Sequence, residues 1–229
     1  MDTDFQYKME NLDKFNNQEK ISLAKIEVEQ DFTNFIPQEF LDDPNGYFES
    51  KGINIKKGEI KVDETGRVRE DPTAVKDLPN WKNKEGQKLA VVGKRIDITK
   101  GKTGESGDPF YEYKILENLA ELDLPAARPI AKAEQADTKI VVMERIPGIR
   151  WFERDSLVKD KGFSKKEVED LMVQAEQAMS DLKKRFDDAG IIRKWKLQDM
   201  VFQIDFENKR IVSVIPTDWE RTKIRKVSQ

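Results

Sequence analysis

The chain contains no cysteine and no histidine. Without thiols there are no disulfides, no cysteine nucleophile and no thiolate-held zinc or iron–sulfur cluster. Without imidazole, Ser-His-Asp catalysis, histidine-bound zinc and histidine general-base chemistry are closed as well. What stays open is chemistry run by carboxylates, lysines, tyrosines, hydroxyls or an oxygen-held metal such as Mg²⁺. Among enzyme classes that favours phosphoryl transfer. Long apolar runs are also missing, and none approaches the roughly 20 residues of a membrane-spanning helix. The segment Met1-Asp2-Thr3-Asp4 lacks the basic and apolar regions of a signal peptide, so a cytoplasmic location is the default expectation. Neither sign of charge is in excess: 41 basic residues face 44 acidic ones, for a net charge of -3. Such a balance offers no general attraction to nucleic acid or anionic membrane, and nucleic-acid binding is not expected. The locally basic residues 221–229 read as a solvated end.

With 229 residues, of which 37% are hydrophobic, the chain can bury one sizeable core, or one domain plus an appendage. Residues 1–50 read as the appendage. A helix is expected from about 17 to 32, where Ile21, Ala24 and Val28 recur at helical steps. The alternation Ala24, Ile26, Val28 leaves a strand open. The aromatic stretch Phe32, Phe35, Ile36, Phe40, interrupted by Pro37, would pack on the main body or on a protein partner. Residues 53–88 are rich in Lys, Gly and Asp, with one hairpin turn expected at Asp63-Glu64-Thr65-Gly66.

Beyond Leu89 the pattern sharpens. Leu89-Ala90-Val91-Val92-Gly93-Lys94-Arg95-Ile96 reads as a buried strand. A loop bearing Gly101, Gly104 and Gly107 follows, and a helix is expected to open at Asp108-Pro109 and run to about Leu122. Strands are expected over 130–134 and 139–145, before the break at Pro147-Gly148. Ser164-Lys165-Lys166-Glu167 is a capping box that opens a long helix with Val168, Leu171, Met172, Ala175, Met179, Leu182 and Phe186 on one stripe, ended by Gly190. A strand pair over 200–204 and 210–215 closes the sequence. Gly101-Lys102-Thr103 lacks the glycine five residues earlier that a P-loop requires, since Ile96 stands there.

Two carboxylate and lysine placements give this order a chemical meaning. On a strand, Ala90, Val92 and Lys94 share a face, so the Lys94 ammonium projects from an apolar wall. Glu112 lies four residues before Leu116 and seven before Leu119, on the buried stripe of its helix, where a carboxylate is costly unless paired. Lys94 is the obvious partner and Glu117 the rival carboxylate. With Leu124-Pro125 after the helix, Ile140-Val141-Val142-Met143-Glu144-Arg145-Ile146-Pro147-Gly148, and Ile215-Pro216-Thr217-Asp218-Trp219-Glu220, the chain resembles the protein-kinase-like superfamily, nearest to aminoglycoside and small-molecule phosphotransferases.

The resemblance covers roughly residues 85–220. It implies an α+β fold: a small antiparallel sheet with one packed helix over 51–146, and a reduced helical lower lobe over 147–229. It implies ATP and Mg²⁺ as cofactors, with Lys94 and Glu112 at the phosphates. Met143 would border the adenine, backbone groups from Glu144 to Ile146 would bond it, and Asp218 and Asp199 would face the metal. The pattern fails at the catalytic loop. Relatives carry an Asp five residues before an Asn; if Asp199 replaces that Asn, Lys194 holds the Asp position, and an ungapped match from Gly190 puts Trp195 there. Neither accepts a proton from a hydroxyl at neutral pH. The phosphate-covering Gly-x-Gly-x-x-Gly is also absent. Three readings follow: a pseudokinase or atypical ATP–Mg²⁺-binding scaffold that docks a partner through residues 1–50; a compact phosphotransferase with Asp199 as its catalytic residue beside Asp218; or an interaction module without nucleotide.

Overall fold

The computed structural model describes residues 24–54, 60–62, 68–70, 73–98, 108, 110–219 and 222–225. They form a mixed α/β structure with antiparallel sheets and several helices. In chain order the main elements are β1 (Lys25–Val28), α1 (Gln38–Asp42), α2 (Pro44–Ser50), β2 (Ile60–Val62), β3 (Val68–Glu70), β4 (Thr73–Lys82), β5 (Lys88–Asp97) and α3 (Tyr111–Glu121). Then follow β6 (Pro129–Gln135), β7 (Thr138–Glu144), β8 (Ile149–Arg150), α4 (Asp155–Asp160), α5 (Lys165–Asp188), β9 (Ile191–Ile192), β10 (Met200–Asp205), β11 (Arg210–Pro216) and β12 (Lys223–Ile224). Among the described residues no helix is long and apolar enough to cross a membrane.

The upper layer is a five-stranded antiparallel sheet in the order β1-β6-β7-β5-β4. The strands expected near 89–96 and 139–145 are neighbours in it, with Lys94 opposite Val141 and Val92 opposite Met143. Because side chains alternate along a strand, β5 serves two faces. Val91, Gly93 and Arg95 face the upper core of Phe40, Phe48, Leu78 and Trp81, and Val92 and Lys94 face the opposite side. Gly93 is required by that packing, since a Cβ there would stand 2.6 Å from the Phe48 ring. Arg95 is buried on the core face and donates to the Ile53 carbonyl and to Glu49, each at 3.0 Å.

Residues 24–50 pack on this main body. The helix expected over 17–32 does not form in its described part: Lys25–Val28 is a strand, paired with β6 from Lys25↔Glu134 to Val28↔Ala131. The edge of β6 supplies a ladder that a lone helical turn cannot match, so the alternation prevails over the helical spacing. A 3₁₀ turn (Gln30–Phe35) and α1 and α2 then carry Phe32, Phe40, Tyr47 and Phe48 into the upper core. There Trp81 Nε1 donates to the Tyr47 hydroxyl at 2.9 Å. Residues 1–23, the turn at 63–66, the glycine loop at 101–107 and Pro109 lie outside the described residues.

The lower layer is built on α5. Its capping box forms as expected: Glu167 N–H donates to Ser164 Oγ at 3.2 Å, and Ser164 N–H donates to Glu167 Oε2 at 2.8 Å. Leu171, Ala175, Leu182 and Phe186 are buried, and Gly190 ends the helix at φ 77°. The same core takes Ile115, Leu116 and Leu119 from α3, so α3 belongs to both layers. The β10–β11 hairpin gains β8 as a third strand, which carries the chain back beneath the upper sheet.

Candidate functional site

The two layers meet at a cleft of about 720 Å³. Its upper wall is Val92 and Lys94 of β5, its back is Glu112 of α3, and its floor is Val201 of β10 with Pro216, Thr217, Asp218 and Trp219 after β11. Met143, Glu144 and Ile146 close one side, at the crossing between layers. Six residues singled out from the sequence therefore line one space: Lys94, Glu112, Met143, Glu144, Ile146 and Asp218. Asp199 is not among the lining residues. It ends a 3₁₀ turn (Leu197–Asp199), and its carbonyl accepts from Thr217 N at 2.8 Å and Thr217 Oγ1 at 3.0 Å. Its backbone thus positions the 217–219 turn from outside the cleft.

The Lys94–Glu112 pair forms. Lys94 Nζ lies 2.7 Å from Glu112 Oε2, and both side chains are 11% exposed. The rival carboxylate, Glu117, pairs with Lys132 at 3.7 Å instead. The other oxygen of Glu112 sits 3.5 Å from Trp219 N–H, so one carboxylate spans the upper sheet and the turn carrying Asp218. Asp218 is exposed and sits in the left-handed region at φ 58°, a backbone state that aspartate tolerates better than most side chains. Trp219 anchors the turn, buried and stacked on Phe186 with ring centroids 5.7 Å apart.

The segment after Met143 is partly committed to structure. Glu144 N–H donates to Arg128 O at 2.9 Å and Arg145 N–H to Ala90 O at 2.8 Å. Among the described residues, Ile146 N–H has no partner, so it is the donor of this stretch open to a ligand. Arg145 also reaches Asp77 of β4 at 3.1 Å across the cleft mouth.

Sequence reasoning assigned no role to Arg193. Its guanidinium lies 4.5 Å over the Trp219 ring and donates to Thr217 O at 2.8 Å. Burial pushes its pKa below the ordinary arginine range, while the charges of Asp199 and Asp218 push it back up. Spacing could not have found it, because Thr217 and Trp219 lie 24 and 26 residues away and the groups it meets there are a backbone carbonyl and a ring. Lys194 is exposed, and Trp195 packs edge-on against Phe186. Neither lines the cleft.

No family model and no curated protein matches the chain. Among solved structures it is similar to one described as WaaP in complex with acyl carrier protein, at 14% sequence identity and a TM-score of 0.44, covering 90% of this chain and 75% of that one. A likeness of that size identifies neither a family nor an activity.

Proposed function

We propose that this chain is a kinase-like scaffold that binds ATP with Mg²⁺ in the Lys94–Asp218 cleft and does not transfer phosphate. The observation that carries the reading is the buried Lys94–Glu112 pair, tied through Glu112 to the turn bearing Asp218. A lysine held by a carboxylate against an apolar wall is preorganised to meet phosphate oxygens. Val92 and Met143 offer apolar surface for a base, and Ile146 N–H offers it a donor. Among the described residues no group of three or more Asp or Glu side chains could hold a metal alone. Mg²⁺ does not require such a group, because one or two carboxylates hold it together with substrate phosphates and water. When bound, the ion would neutralise phosphate charge. Asp218 would hold it, Lys94 would orient the phosphates, and Glu112 would keep Lys94 in place.

The absence of transfer follows from the base position. Where relatives carry the catalytic aspartate this chain has Lys194 or Trp195, neither of which accepts a proton from a hydroxyl at neutral pH, and the segment 190–199 supplies no side chain to the cleft. Docking of a protein partner through residues 1–50 belongs to the same proposal. Phe32, Phe40 and Phe48 are buried in the upper core, so the contact falls on outward side chains of that segment such as Glu39 and Leu41. The test is thermal stability with ATP and Mg²⁺ beside an assay for ATP turnover. Stabilisation without turnover supports the scaffold. Turnover that collapses in Asp199→Asn makes the chain a phosphotransferase with Asp199 as its catalytic residue, and no response to nucleotide leaves an interaction module.

A further inference from the structure

Three consecutive side chains at the start of α3 are each tied to a different part of the molecule. Tyr111 donates its hydroxyl to the Thr222 carbonyl beyond the Asp218 turn. Glu112 holds Lys94 on β5. Tyr113 donates its hydroxyl to Glu29 Oε1, just after β1, at 2.8 Å. Successive helix residues point about 100° apart, so the three ties together fix the rotation of this turn about the helix axis.

The first turn of a helix is where such ties matter, because its backbone N–H groups have no intrahelical acceptors and the turn frays. Here the N-cap residue, Phe110, makes no capping bond with its side chain. The apolar anchors of α3, namely Ile115, Leu116 and Leu119, lie further along the helix, in the lower core. Glu112 therefore depends on its neighbours for its position. Tyr113 is fully buried, and its ring carries the Lys132 ammonium 5.0 Å away. Lys132 in turn pairs with Glu27 of β1 at 2.9 Å. Burial and the Glu29 carboxylate both raise the pKa of the Tyr113 hydroxyl, so it remains a donor across neutral pH.

We infer that Tyr113 is a positioning residue: its hydrogen bond to Glu29 lets the N-terminal strand hold α3 at the rotation that presents Glu112 to Lys94. The N-terminal segment is then part of the nucleotide site without touching it. The functional meaning of this tie rests on the nucleotide reading above, but the tie itself can be tested apart from it. Two readouts are needed on full-length protein: the ATP dissociation constant in Mg²⁺, and the ¹H–¹⁵N resonance of the Lys94 ammonium, assigned with Lys94→Arg. In Tyr113→Phe and in Glu29→Ala the Lys94 resonance should move toward its position in Glu112→Gln. ATP affinity should fall about threefold to tenfold, the change that one net hydrogen bond corresponds to. Glu29→Gln keeps an acceptor and should restore both. Phe163→Leu, which loosens a separate cluster, should leave the Lys94 resonance in place. Wild-type resonance and affinity in both Tyr113→Phe and Glu29→Ala would overturn the inference. If the wild type binds no ATP, the nucleotide reading fails and the Lys94 resonance alone decides: movement sustains the tie, and no movement overturns it.

Discussion

Separating Lys94 from Glu112 is the perturbation with the clearest arithmetic. At 2.7 Å and an effective dielectric of about 20, the gross attraction is about 6 kcal/mol. Desolvation of two nearly buried charges offsets much of this, so the net value of the pair is small. The cost of losing one partner is not. Glu112→Leu leaves the ammonium without its carboxylate, and Lys94→Met does the reverse; each should destabilise by about 3–5 kcal/mol. The double variant replaces the ion pair with apolar volume and should cost less than the sum of the single losses by a coupling energy of about 2–3 kcal/mol. Urea unfolding of the wild type, the two single variants and the double variant closes the cycle. Additive losses, with coupling below about 0.5 kcal/mol, would mean that the pair does not act as a unit.

Other outcomes follow from the same geometry. The bonds that Glu167 accepts from Lys209 and from Ser164 hold its pKa at about 2, against 4.5 for a free glutamate. A depressed carboxylate stabilises above its unfolded pKa, so Glu167→Gln should be less stable than wild type at pH 7, with the gap closing as pH falls from about 4.5 toward 2. A gap that ignores pH in acid unfolding curves would contradict this. Gly93→Ala should lower stability by about 1–3 kcal/mol, because the new methyl meets Phe48 and Leu78 within 3 Å; an unchanged urea midpoint would show that the Phe48 ring yields freely. Gly148 sits at φ 146° and a Cβ there would stand 2.6 Å from Phe202 O, so Gly148→Ala should destabilise the pairing of β8 with β10, read as a lower melting temperature.

What the sequence revealed and what it hid divide along locality. The Lys94–Glu112 pair was legible because each residue sits on a short periodic element, and period alone sets which face it takes. The capping box of α5 was legible for the same reason: its bonds span three residues. β4 was not expected, although it runs ten residues as Thr-Ala-Val-Lys-Asp-Leu-Pro-Asn-Trp-Lys. Its register shifts between Leu78 and Trp81, around Pro79, so the two buried side chains fall out of strict alternation. The start of α3 was placed two residues early, because the Asp108 carbonyl accepts from Tyr111 N–H and the helix proper begins there. The ties of Tyr113 to Glu29 and Arg193 to Thr217 join positions 84 and 24 residues apart. No window along the chain contains both ends of either, and only the folded sheet and turn bring them together.

The central claim is that Lys94 and Asp218 form a site for nucleotide with Mg²⁺. Calorimetric titration of ATP into the full chain, with and without Mg²⁺, measures it directly. The account predicts saturable binding that tightens with Mg²⁺ and weakens by at least about tenfold in Lys94→Ala, the loss expected for a charge-assisted phosphate contact. In Asp218→Ala the benefit of Mg²⁺ should vanish while metal-free binding persists. No heat of binding in the wild type, or binding that both variants retain at full strength, would contradict it.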